Sequence, residues 1–280
     1  ATRFRRLTDA AGLVPSCLGA NVDTARRRDR HMTDDETVES LEAQIDAART
    51  LGFPVMRIQF GARTSALRRV VTAAEKADVR LGMEIHAPHS VDHPTVVALR
   101  ELYDEIDSPY LGFIPDFGAS VSAMPAGAVR QQREGGMPED VLELIITTWQ
   151  SVHDGARDAF AARRELMADL EARDAGGQAL GFAWRALTLW GAQPPEKWLE
   201  IMPRVVHVHG KFFDIDENGE EPSVPYPELM RVFREGGYEG GISSEWEGRD
   251  WAEHPDGIAM VKAHQDLVRR HLAVDAPVGS

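Results

Sequence analysis

The chain of 280 residues has one cysteine, Cys17. A lone thiol excludes an intramolecular disulfide framework and a structural zinc site built from several thiolates, and it fits a reducing cytoplasm. No run approaches about 18 consecutive apolar residues, so a membrane span is not expected. The N-terminus, ATRFRRLTDAAG, lacks the apolar segment of a signal peptide. Positive charge is also scarce: 31 Lys and Arg stand against 45 Asp and Glu, a formal net charge of −14. A nucleic-acid surface needs a basic patch, and the short run Arg26-Arg27-Arg28 reads as a solvated loop. The expectations are a cytoplasmic protein with no nucleic-acid partner and no membrane partner.

What is present is an alternation of β-rich and helical stretches. Strand candidates cover Leu13 to Asp23, Pro54 to Phe60, Val79 to Ala87, Tyr110 to Gly118, Arg204 to Phe212 and Gly240 to Gly248. Helices are expected between them. The first has the clearest start: Thr33 with Glu36 three residues on, the capping-box spacing. Its apolar positions Val38, Leu41, Ile45 and Ala48 share one helical face, and it stops at Gly52. Further helices are predicted at Ala66 to Lys76, Pro94 to Ile106, Pro195 to Met202, Tyr226 to Glu235 and Gly257 to Leu272. Residues 121–190 break the rhythm. They are polar and helical in character, with loop signals at Gly135-Gly136 and Gly176-Gly177.

Strand–helix alternation with short connections argues a parallel sheet with right-handed crossovers. The fold class is α/β, a (β/α)8 TIM barrel forming a single domain over 1–280 with a helical insertion at about 121–190. Six strand–helix units are found rather than eight, so about two N-terminal units are expected to be missing from this chain. An open six-stranded sheet is the alternative.

In a barrel, reactive side chains gather at the C-terminal ends of strands. That rule selects Glu84 and His86 on the third strand and Asp116 on the fourth. It selects His207, His209 and Lys211 on the fifth, and Ser243, Glu245 and Glu247 on the sixth. Residues two apart share a face. A strand buried on both faces does not carry carboxylates and imidazoles without partners. Glu84, Asp116, His209 and Glu245 make an oxygen-rich set with one imidazole. Such a set suits one divalent ion, Mn²⁺ first and Mg²⁺, Co²⁺ or Zn²⁺ as alternatives. Carboxylates packed together repel, and a divalent cation relieves that repulsion. The competing reading pairs Glu84, Asp116 and Glu245 with Arg57, Lys211 and Arg249 as structural ion pairs.

The segments LGMEIHAP, FIPDFGAS, VVHVHGKFFD and GGISSEWEG carry a resemblance. They resemble the xylose isomerase-like barrels, the sugar phosphate isomerase/epimerase family, whose ligand order is Glu, Asp, His, Glu on four successive strands. The resemblance covers about residues 50–120 and 195–272. It implies proton abstraction beside a carbonyl or hydroxyl of a sugar, with the metal polarising the oxygen. It implies that Glu84 and Glu245 act as acid and base as well as ligands. His86 and Glu247 are additional bases on the same face. Lys211, Arg57, Gln59 and Trp246 are candidate substrate contacts, although Trp246 alternates away from the metal face. Trp251 joins Trp246 as a possible stacking surface for a sugar or an aromatic aglycone. His207 is expected behind His209. His31, His153, His254, His264 and His271 are expected at the surface.

Two departures from the family pattern stand out. The position three after Asp116 is Ala119, where relatives often carry a polar residue. The Asp116-to-His209 spacing is 93 residues, against 32 for Glu84 to Asp116 and 36 for His209 to Glu245. The extra length is the helical insertion: a lid, a pocket wall or a docking surface for another subunit, either a small β-rich partner or a second copy.

Three activities follow from the resemblance. One is isomerisation or epimerisation of a sugar. Another is the elimination carried out by the large subunit of C-glycoside-deglycosylating enzymes, which act on 3-oxo-glycosides with a small β-rich partner. The last is a metal-dependent abasic-DNA endonuclease, ranked lowest because its extra His ligands and basic face are missing here.

Overall fold

The computed structural model describes residues 2–22, 28–252 and 256–273. Asp23, Arg26, Arg27 and His254 lie outside the described residues. The chain falls into two compact units. One comprises Ala1–Ile85, Val91–Pro115 and Pro203–Val208; the other comprises His86–Ser90, Asp116–Met202 and His209–Ser280.

The first unit holds α1 (Thr2–Ala10), β1 (Cys17–Gly19), α2 (Asp34–Leu51), β2 (Val55–Ile58), α3 (Thr64–Ala77), β3 (Arg80–Ile85), α4 (Pro94–Ile106) and β4 (Leu111–Pro115). The four strands pair in sequence order, every pair parallel. A parallel pair needs a crossover, and α2, α3 and α4 supply them. β3 and β4 are buried along almost their whole length, which is why they read as near-continuous apolar runs. α2 begins as its sequence dictates. The Thr33 hydroxyl accepts the Glu36 N–H, and the Glu36 carboxylate accepts the Thr33 N–H. Val38, Leu41, Ile45 and Ala48 are all buried. α4 runs over the predicted residues, capped by the His93 ring on the Thr95 N–H. α1 has no counterpart in the sequence reading, and it buries none of its residues. Val205 forms a parallel bridge with Phe113, and Val206 packs with Val55, Ile114 and Cys17.

In the second unit, the segment predicted to be helical forms α5 (Ala126–Glu134), α6 (Glu139–His153), α7 (Ala159–Ala172) and α8 (Gly176–Leu189). α6, α7 and α8 pack on one another. Then come β5 (Val208–Phe212), α9 (Tyr226–Glu235), β6 (Ile242–Trp246) and α10 (Gly257–Ala273), with β5 paired to β6. The α-helix predicted from Pro195 to Met202 is instead a 3-10 helix over Pro195–Arg204. Pro203 lies inside this segment and lacks an N–H. Trp198 anchors this segment: its buried indole donates to Ser120 Oγ at 3.1 Å.

His264 is not at the surface as expected; it is 1% exposed. It sits on the inward face of α10, stacked on Phe212 with ring centroids 4.3 Å apart. Its two nitrogens face Ser244 Oγ and the Tyr226 hydroxyl, which is how an imidazole meets the cost of burial. His31 is exposed, while His153 and His271 are half-buried. Among the described residues, no helix is long and apolar enough to cross a membrane.

Candidate active site

Asp116 is the residue just beyond β4. It caps the 3-10 turn Phe117–Ala119, its Oδ1 accepting the Gly118 N–H at 2.8 Å. It is fully buried, and it is also the bridge partner of His209, which places the two side by side in parallel register. His209 lies on β5 and is buried; its Nδ1 is 3.2 Å from Glu245 Oε1 on β6. Three successive elements therefore bring Asp116, His209 and Glu245 to one place.

Lys211, two residues on from His209, enters the same cluster. Its ammonium is 2.6 Å from Asp116 Oδ2, 3.2 Å from Glu247 Oε1 and 3.9 Å from Glu245 Oε2. Gly118 leaves space for its stem: a Cβ there would stand 2.7 Å from Lys211 Cδ. Burial works against the charge on Lys211, but Asp116, Glu247 and Glu245 outweigh it and raise its pKa. The ammonium is thus held protonated. Of the two roles open from sequence, the geometry displays the neutralising one.

Lys211 is fixed from behind as well. Its carbonyl accepts the Tyr226 hydroxyl at 3.0 Å, and Tyr226 meets His264, which meets Ser244. Burial lowers the His264 pKa to about 4, so the ring is neutral in this chain of hydrogen bonds. Burial also raises the Tyr226 pKa. Beyond β5, the buried Glu221 carboxylate accepts the N–H groups of Phe213, Asp214 and Ser223 and pins the loop. Tyr226, His264 and Glu221 escape a sequence search that looks only at strand ends.

His86 is half-buried. Its Nδ1 lies 2.6 Å from the Ala87 carbonyl oxygen, and its ring meets His89 edge-on. Trp246 turns its indole N–H to the Phe213 carbonyl at 3.1 Å, in line with its place off the ligand face.

In the first unit, Glu84 is buried near the end of β3. Gln59 Nε2 donates to its Oε2 at 3.1 Å, and Arg57 Nη1 lies 3.5 Å from the same oxygen. Arg57 also donates to Asn21 Oδ1 at 3.0 Å. The shared face of Arg57 and Gln59 thus serves Glu84. His207 is buried. Two of the three ion pairs of the competing reading exist, Glu84 with Arg57 and Asp116 with Lys211, whereas Arg249 pairs with Asp250 at 3.9 Å.

These pairs do not exhaust the donor set. The cluster of Asp116, Glu245 and Glu247 sets three carboxylates against the single ammonium of Lys211. A carboxylate has about four lone-pair sites, and Asp116 commits one on each oxygen. The excess negative charge, with the His209 imidazole alongside, fits a divalent cation.

The model of the xylose isomerase-like TIM barrel matches residues 1–270. The chain belongs to the xylose isomerase-like TIM barrel family. Within the family, it is 43% identical over 272 residues to the 3'-dehydrocarminate deglycosidase alpha subunit of a Microbacterium species, covering 95% of this chain and 78% of that protein. It is 41% identical over 285 residues to a C-glycoside deglycosidase alpha subunit of Arthrobacter globiformis, covering 98% of this chain and 76% of that protein. Among solved structures, a xylose isomerase-like TIM barrel protein from Mycobacterium smegmatis, crystallised in complex with magnesium, superposes with a TM-score of 0.51 at 13% identity. The match covers 97% of this chain and 77% of the other. That likeness shows the α/β barrel fold.

Proposed function

We propose that this chain is the α subunit of a C-glycoside-deglycosylating lyase that acts on 3-oxo-glycosides. The observation that carries the reading is 43% and 41% identity, over nearly the whole chain, to two proteins named as α subunits of such deglycosidases. Isomerisation or epimerisation of a sugar uses the same first step, and in either case the chain is a sugar-active enzyme. The relatives favour the lyase.

The reaction breaks the C–H bond beside the sugar carbonyl. The electron pair forms a double bond to the anomeric carbon, and the bond from that carbon to the aglycone breaks. The aglycone carbon leaves with its electrons and takes up a proton. Two groups must therefore move protons. His86 and Glu247 are assigned that role, with His86 taking the proton from the sugar carbon. Glu84, Asp116, His209 and Glu245 would hold one divalent ion, Mn²⁺ in the first instance. When bound, the ion supplies positive charge for the sugar oxygen that becomes negative. Lys211 keeps the carboxylates of Asp116 and Glu247 compensated and apart. Glu84 is oriented by Gln59 and Arg57.

The word alpha in both relatives' names supports a second, different subunit as partner. The lone cysteine agrees with a cytoplasmic setting. The test is co-production with a small β-rich second subunit of the kind the reading calls for and incubation with a 3-oxo-C-glycoside. Release of free aglycone is expected; solvent deuterium entering a ketose with no cleavage would assign the isomerase instead.

A further inference from the structure

His86, the proposed base, directly follows β3, yet the segment His86–Ser90 belongs to the second compact unit together with α5, α6, α7 and α8. A base on a short segment needs its ring held, because an error of about 1 Å in placement costs roughly a hundredfold in rate. Two backbone contacts contribute. His86 Nδ1 faces the Ala87 carbonyl oxygen at 2.6 Å, and the His89 N–H donates to the His86 carbonyl at 3.0 Å. A carbonyl oxygen only accepts, so in the neutral ring the proton sits on Nδ1 and the lone pair on Nε2. Nε2 is then the atom that can take a proton.

A hydrogen bond alone does not fix a ring plane, and aromatic contacts add that constraint. His86 and His89 meet edge to face, centroids 6.0 Å apart at 83°. His89 in turn meets Phe160, the second residue of α7, at 5.5 Å and 71°. Such edge-to-face pairs are favoured because the positive edge of one ring meets the negative face of the other. Arg163 stands about one helical turn on from Phe160, its guanidinium 5.5 Å from the centroid of that ring. Arg163 also donates to Oγ1 of the buried Thr188 on α8 at 3.1 Å. Asp158 caps the start of α7 through the Ala161 N–H at 2.8 Å, so Phe160 is placed by a capped helix rather than by a loop. A continuous series of contacts therefore runs from α8 through α7 to the His86 ring.

We infer that Phe160, acting through His89, is a positioning residue for the proton transfer: the helical insertion holds the His86 ring in the plane and tautomer that present Nε2 to the sugar carbon. Phe160 and His89 each act through the next ring and need not touch the substrate. The inference rests on the reading of His86 as the base and deepens it. It also gives the insertion a part in the chemistry itself.

The test compares Phe160→Leu, which keeps an apolar side chain but loses the ring, with Phe160→Tyr, which keeps the ring. Both are made in the full chain and assayed with the proposed small second subunit on a 3-oxo-C-glycoside. Phe160→Leu is expected to lower kcat by roughly tenfold with KM unchanged, the scale of one lost aromatic contact. Phe160→Tyr is expected to stay within about twofold of the wild type. Arg163→Met, which strips the cation from the Phe160 ring, is expected to lower kcat by about threefold. Long-range nitrogen–proton NMR of the histidine rings at about pH 8, where imidazole is neutral, supplies a readout free of turnover, with His86 assigned by its loss in His86→Gln. The Nδ1–H form is expected for His86 in the wild type and in Phe160→Tyr, and averaging of the two tautomers in Phe160→Leu. Wild-type kcat and an unchanged His86 signal in Phe160→Leu would overturn the inference. Equal losses in the Leu and Tyr variants, or a KM that rises as kcat falls, would overturn it too, because they mark a general packing role. Turnover that survives His86→Gln would place the base elsewhere, and the inference would fall with it. Failure of the lyase reading looks different: the wild type would release no aglycone, while the His86 signal still changed with the ring at Phe160.

Discussion

The Lys211 ammonium lies 2.6 Å from Asp116 Oδ2, with the lysine 5% exposed and the aspartate fully buried. Breaking such a pair from one side strands the other charge. Lys211→Met is expected to destabilise the chain by about 3–5 kcal/mol, the usual cost of an uncompensated buried charge. Urea unfolding measures this. A change below about 1 kcal/mol would mean that water or another cation already serves Asp116.

The four proposed ligands require a measurable metal. The purified chain is expected to hold about one divalent ion, read by elemental analysis after reconstitution with Mn²⁺. Mn²⁺ added to the chelator-treated chain is expected to raise its Tm, since a ligand that binds only the folded state stabilises it. His209→Gln and Glu245→Gln are each expected to weaken metal binding by roughly tenfold or more.

His264 gives a pH dependence with a definite sign. Burial holds its folded pKa at about 4, below the ordinary imidazole value of 6.5. As pH falls below about 6.5 the unfolded chain gains a proton that the folded chain refuses, so stability is lost as pH falls toward 4 and is intact above 6.5. The loss from this residue is about 2 kcal/mol between pH 8 and pH 5. Urea midpoints for the wild type and His264→Gln check it. The variant is expected to start less stable and to fall less steeply over that window.

Gly248 follows Glu247 and packs tightly on the Phe213 backbone. A Cβ on it would stand 1.6 Å from the Phe213 carbonyl oxygen, a backbone atom that cannot swing aside. Gly248→Ala is expected to destabilise by about 1–3 kcal/mol or more and to lower activity more than stability, because Glu247 directly precedes it and Trp246 packs against it. Thermal unfolding and single-turnover rates compared side by side would show whether the two effects part.

How much of this was legible depended on whether the signal was local. The Thr33–Glu36 capping box, the α4 and α9 boundaries, and all six strands could be read because capping, periodicity and apolar runs are written in neighbouring residues. The candidate ligands could be singled out because polar residues closing apolar strands have few other reasons to be there. His264 could not: its burial depends on Phe212, Tyr226 and Ser244, which come from three other stretches. The 3-10 form of Pro195–Arg204 was not written in its periodicity either. Nor could the sequence rank the roles of Lys211, because its distance from Asp116 spans 95 positions and is settled only by the bridge that aligns Asp116 with His209. Phe160 meets His89 only once the long helical segment has been threaded back to the strand ends.

The most direct test is the fate of a 3-oxo-C-glycoside given to this chain together with the proposed small second subunit. The expected result is free aglycone and an unsaturated 3-oxo sugar in equal amounts, lost in His86→Ala and on metal removal. Recovery of the intact glycoside carrying solvent deuterium beside its carbonyl would contradict the lyase and leave an epimerase-type proton transfer in its place.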